Sequence, residues 1–107
     1  MEIYRQGDVL LIPVDNIPDG TRTVARDDRG RLVLAEGEVT GHAHAIVDEA
    51  AELVTADEAA ELYLLVHGTD PVALLHEEHA TVQVPPGKYE RRILREYAPE
   101  EIRQVAD

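Results

Sequence analysis

The chain is predicted to be all-β, a small barrel or sandwich of about 7–9 short strands with a short C-terminal helix. Three observations lead there. The apolar residues are almost entirely aliphatic, with no Phe, no Trp and only four Tyr among 107 residues, which suits Val, Leu and Ile strands. Short apolar segments recur between Gly and Pro turns at fairly even spacing, and they do not alternate with helical repeats. The length is enough for one hydrophobic core and too small for a second, so residues 1–107 are read as one domain.

Ile3 to Val14 holds the densest apolar run, Val9-Leu10-Leu11-Ile12. Residues of both parities are apolar there, so this strand is expected to be central and covered on both faces. Gly7-Asp8 invites a turn or bulge just before it. Pro13 and then Asp15-Asn16-Ile17-Pro18-Asp19-Gly20 end it. Thr21 to Arg26 and Arg31 to Val39 flank Asp27-Asp28-Arg29-Gly30 and read as a hairpin. Glu38 to Asp48 is expected to be a strand with a kink or bulge near Gly41.

Glu49 to Ala60 is rich in Ala and Glu, as a helix would be, but Leu53-Val54-Thr55 favours a short strand between polar turns. Leu62 to His67 is an apolar strand ended by Gly68-Thr69-Asp70-Pro71, and Val72 to Leu75 is another that runs into His76. In Ala80 to Val84, Ala80, Val82 and Val84 share one face. Pro85-Pro86-Gly87 forces a turn into a long strand, Lys88 to Tyr97, on which Tyr89, Arg91, Ile93, Arg95 and Tyr97 share a face. Pro99 with Glu100 and Glu101 has the composition of a helix start, which gives the terminal helix.

Twenty-two acidic residues against ten basic ones give a formal charge of −12. A surface of that sign repels phosphate backbones and anionic lipid, so neither nucleic acid nor membrane is the expected partner, whereas cations and basic protein surfaces are favoured. Without cysteine there is no disulfide, no thiolate ligand and no Cys nucleophile, and any soft metal site must use imidazole. No run approaches the ~20 apolar residues of a membrane span, and the N-terminus lacks a signal-peptide pattern, so a cytoplasmic location is expected.

Four of the five histidines fall in two tight motifs, Gly41-His42-Ala43-His44 and His76-Glu77-Glu78-His79. In a strand, His42 and His44 would present two imidazoles on one face, about 7 Å apart at Cα, which can clamp one ion. His76 and His79 lie on opposite faces of a straight strand but converge across a turn or bulge. Zinc, iron, nickel and copper all accept imidazole, so a divalent transition metal on His42, His44, His76 and His79 is the sharpest expectation, with Glu77 and Glu78 as oxygen ligands or as acceptors behind the histidines. The i, i+3 spacing is one residue short of His-Glu-x-x-His and argues against a metalloprotease. Scattered histidines usually line polar faces or cap turns, and His67, alone on an apolar strand, is read that way. A metal-free pH sensor is also compatible with such a cluster.

Tyr89, Arg91, Arg95 and Tyr97 hold much of the chain's basic character and form a candidate interface for a homo-oligomer or protein partner. The plainer reading is that the arginines neutralise acids on a neighbouring strand. Two resemblances complete the picture. His42-x-His44-x4-Glu49, preceded by Gly37, is similar to the first metal motif of cupins, and Pro85-Pro86-Gly87-Lys88-Tyr89-Glu90 resembles their second, with Glu90 where cupins place His. This likeness implies His42, His44 and Glu49 as ligands and a cupin-like metalloenzyme as one candidate function. The whole chain more closely resembles a family of short, uncharacterised bacterial and phage proteins that share Arg5-Gln6-Gly7-Asp8-Val9, Gly41-His42-Ala43-His44 and His76-Glu77-Glu78-His79, a likeness that implies no activity. Three functions therefore compete: a metal-binding β domain, an interaction or self-assembly module, and a cupin-like enzyme.

Overall fold

The computed structural model describes residues 2–37, 39–56 and 61–94. Ten strands form among them: β1 (Tyr4–Gln6), β2 (Val9–Pro13), β3 (Arg22–Thr23), β4 (Leu32–Glu36), β5 (Ala43–Ile46), β6 (Ala51–Thr55), β7 (Leu62–Val66), β8 (Val72–Leu74), β9 (Val82–Val84) and β10 (Gly87–Ile93). The fold is all-β, as expected. One layer is a six-stranded sheet in the order β1-β2-β10-β7-β6-β3. The other is built from two ribbons, β4-β5 and β8-β9, joined by a bridge between Ala45 and Leu75. Every pairing is antiparallel. Among the described residues no helix is long and apolar enough to cross a membrane.

Alternation explains how the layers close on each other. Leu32 and Leu34 of β4, Ile46 of β5, Val72 and Leu74 of β8 and Val84 of β9 meet Leu11 of β2, Leu53 of β6, Leu64 and Val66 of β7 and Tyr89 of β10 in one buried cluster. These residues recur at i and i+2 along their strands, so each strand gives one face to the core. Fully burying a Leu or Val contributes roughly 1.5–3 kcal/mol each, and apart from Tyr89 the buried cluster is aliphatic.

Two expectations change in detail. The run Ile3 to Val14 is two strands, because Gly7 (φ +58°) takes the positive-φ first position of a tight turn and pairs Gln6 directly with Val9. This split is one reason the count exceeds nine. The turn at Asp27–Gly30 forms, with Gly30 N–H donating to Asp27 O at 2.9 Å. Its flanking strands do not pair with each other, however: β3 goes to β6 and β4 to β5. The Arg26 guanidinium holds that divergence by donating to the carbonyls of Gly30, Val47, Asp48 and Ala51. The segment around Leu53 is a strand, β6, as expected. The expected terminal helix, with Arg95 and Tyr97, lies outside the described residues.

Candidate metal centre

Three connections meet at one end of the sandwich: the β1–β2 turn at Gly7-Asp8, the β4–β5 connection around Gly37 and His42, and the β8–β9 connection carrying His76 to His79. Glu77 fastens the third to the second. Its Oε1 accepts a 2.9 Å bond from the backbone N–H of Ala43, the residue between the first two histidines. That bond is the main reason its carboxyl is held below the ordinary range. The Ala45–Leu75 bridge fixes the register just beyond it, so His76 leaves its strand beside His44.

The two histidine motifs converge. The His44 ring lies 4.3 Å from that of His76 and 5.7 Å from that of His79, centroid to centroid. His76 stands 4.5 Å from His79 and 5.9 Å from His42. Together with Gly7, Asp8, Gly37 and Glu78, the His44, His76 and His79 side chains line a cavity of about 200 Å³. The two glycines make that space. A Cβ on Gly7 would stand 2.7 Å from His79 Nε2, and one on Gly37 would stand 2.9 Å from His42 Cβ and 3.1 Å from His76 Nε2.

His44 is the anchor. It is buried, 2% exposed, and its Nδ1 is 2.9 Å from Oε1 of Gln6, itself 2% exposed. The Gln6 amide nitrogen donates to the carbonyls of Leu74 and Ala80 at 2.9 and 3.0 Å. Those two bonds orient the amide, so its oxygen must face the imidazole and accept from Nδ1–H. Nε2 of neutral His44 is therefore the basic nitrogen, and it stands 3.6 Å from Oδ1 of Asp8. Burial, first, and the neighbouring His76 push the His44 pKa down, against the pull of Asp8.

His42 is half-buried, and its Nδ1 stands 3.3 Å from Glu78 Oε1, a carboxylate backing of the kind that orients ligand histidines. Nδ1 of His76 accepts a 3.0 Å bond from the backbone N–H of Glu78. His79 is exposed at the cavity mouth. Among the described residues no group of three or more His, Asp or Glu side chains stands, as placed, in an arrangement that could hold a metal ion.

The remaining candidates go elsewhere. Glu49 lies in the exposed turn between β5 and β6 and does not line the cavity. His67 pairs at 3.1 Å with Glu52, and Glu90 forms an ion pair with Arg92. Of the candidate interface, Tyr89 points into the core at 4% exposure, with its hydroxyl donating to Pro85 O at 2.7 Å and its ring edge-on to Tyr4. Arg91 donates to Leu34 O at 2.8 Å across the sandwich. The face that Tyr89 and Arg91 share is thus turned inward toward the other layer.

Gln6, Asp8, Gly7 and Gly37 were not singled out as site residues in the sequence. For Gln6, Gly7 and Asp8 the signal is the string Arg5-Gln6-Gly7-Asp8-Val9, which reads locally as a turn, and for Gly37 it is the place before the cupin-like motif. Residues 5–94 match the model of a family described as a domain of unknown function, DUF8820. No curated protein and no solved structure matches the chain.

Proposed function

Because the chain belongs to the DUF8820 family, a domain of unknown function, its role has to be read from its own side chains, and we propose that it binds a divalent transition-metal ion in the cavity where the histidine motifs meet. The observation that carries this reading is the buried His44, whose tautomer is set by Gln6 so that Nε2 offers a lone pair beside the imidazoles of His76 and His79. A histidine whose Nδ1–H is tied to an acceptor is how proteins prepare an imidazole for a metal. The spacing supports it as well. Imidazoles bound tetrahedrally at metal–nitrogen distances near 2.0–2.1 Å place their ring centres about 5 Å apart, and the His44 and His79 rings are 5.7 Å apart.

Zinc, iron, nickel and copper all fit an imidazole-rich set, and the formal charge of −12 raises the local concentration of any cation. Closing on the ion calls for side-chain rotation, since no three ligands converge as placed, while His44 is already held by Gln6. The test is elemental analysis and calorimetric titration with zinc on protein purified without a His tag. The wild type is expected to take up one equivalent, and the His42→Ala/His44→Ala double variant to lose it. Equal metal content in the two proteins, or none in either, removes the proposal.

A further inference from the structure

His44 and His76 stand side by side in the cavity wall, yet the fold holds them in opposite tautomers. The Gln6 oxygen takes the Nδ1 proton of His44, leaving Nε2 as an acceptor. The Glu78 backbone N–H occupies the Nδ1 lone pair of His76, so neutral His76 must carry its proton on Nε2. That nitrogen faces the space a Gly37 side chain would fill. One wall of the cavity therefore presents an electron pair and, beside it, an N–H donor.

The acceptor has a second acceptor opposite it, since His44 Nε2 and Asp8 Oδ1 are 3.6 Å apart. A cation bound by both the imidazole nitrogen and the carboxylate oxygen fits that separation. Metal–nitrogen and metal–oxygen bonds of about 2.0–2.2 Å place the two atoms roughly 2.9–3.6 Å apart, depending on the bond angle. His79, whose Nε2 borders Gly7 on the same turn as Asp8, supplies the next nitrogen.

We infer that Asp8, His44 and His79 form the ligand set, two imidazoles and one carboxylate, and that His76 is not a ligand but donates its Nε2–H to a small anionic oxygen or nitrogen ligand occupying an open position on the metal. This assignment rests on the metal reading above and sharpens it. Two histidines and one carboxylate on one side of an ion leave open positions for such a ligand. For His76 to coordinate through Nε2, its Nδ1 would have to gain a proton and give up the Glu78 N–H, which would then lose its acceptor.

Cobalt(II) is the probe for the metal and azide the probe for the small anion, both followed by the visible spectrum of the cobalt-loaded, untagged chain. Asp8→Asn, His44→Ala and His79→Ala are each expected to weaken cobalt binding by about tenfold or more. His76→Ala is expected to keep cobalt affinity within about threefold while weakening azide about tenfold, and His76→Gln, which restores an N–H donor, to recover azide binding. Glu49→Gln serves as a control that leaves both titrations unchanged. If the wild type takes up no cobalt, the metal reading fails and this assignment with it. If the wild type binds cobalt but Asp8→Asn binds equally well, or His76→Ala loses cobalt as His44→Ala does, or Glu49→Gln weakens it, the metal reading stands and the ligand assignment is overturned.

Discussion

Gln6 and His44, 38 positions apart, share a buried 2.9 Å hydrogen bond, and the amide is in turn spent completely, donating to Leu74 O and Ala80 O. Changing Gln6 to Leu leaves the buried His44 Nδ1–H without its acceptor and takes a donor away from Leu74 O and Ala80 O. The loss is expected to be about 2–4 kcal/mol of stability in urea denaturation, with metal affinity falling about tenfold or more because the imidazole is no longer oriented. A variant as stable as the wild type would show that the amide does not set the tautomer.

In the metal-free protein His44 also gives a pH dependence whose sign follows from its lowered pKa. The folded state resists protonation that the unfolded chain accepts near the ordinary value of 6.5. The unfolded state therefore binds more protons as pH falls below that value, and stability is lost from about pH 6.5 downward until the folded-state pKa is passed. Asp27 and Glu77, both held below the ordinary carboxyl range, lose their contributions at lower pH as they protonate. Melting temperature measured from pH 8 to pH 5 should decline for the wild type and be flatter for His44→Asn. Identical profiles would assign the dependence to other groups.

Gly7 carries two constraints at once, a φ of +58° and a would-be Cβ 2.7 Å from His79 Nε2. Gly7→Ala is expected to cost about 1 kcal/mol or more from the backbone alone and to push the His79 ring out of the cavity. In NMR spectra the His79 imidazole resonances should shift more than those of His67, which is paired elsewhere. Unchanged His79 signals would mean that the ring does not sit against the turn.

Arg26 gathers four carbonyls at 2.9 to 3.1 Å, those of Gly30 in the β3–β4 connection, Val47 and Asp48 in the β5–β6 connection, and Ala51 at the start of β6. Lysine keeps the charge but not the planar fork that spans them. Arg26→Lys is expected to lower stability by about 1–3 kcal/mol and to speed amide exchange near Asp48–Ala51 more than in β7 and β10. Uniform exchange rates across the molecule would rule out a local clasp.

Much of the architecture was legible from residue pattern alone. Val82–Val84 follows from apolar alternation and Leu62–Val66 from a continuous apolar run, each bounded by turn residues, and the Pro85-Pro86-Gly87 break separates β9 from β10. The two histidine pairs could be named because their spacing is local. Their convergence could not be derived, since it depends on the Ala45–Leu75 bridge and on the Glu77 bond to Ala43, which join segments some thirty positions apart.

The sequence by itself determined an aliphatic all-β domain, its acidic surface and the imidazoles available to it. Only the tertiary structure decided that Asp8 and Gln6 join those imidazoles, that Glu49 does not line their cavity, and that Tyr89 faces inward. The reason is that a period of two tells which residues share a face of a strand, but not which other strand that face will meet. That choice is made by pairing register and by how the two layers close over a common core.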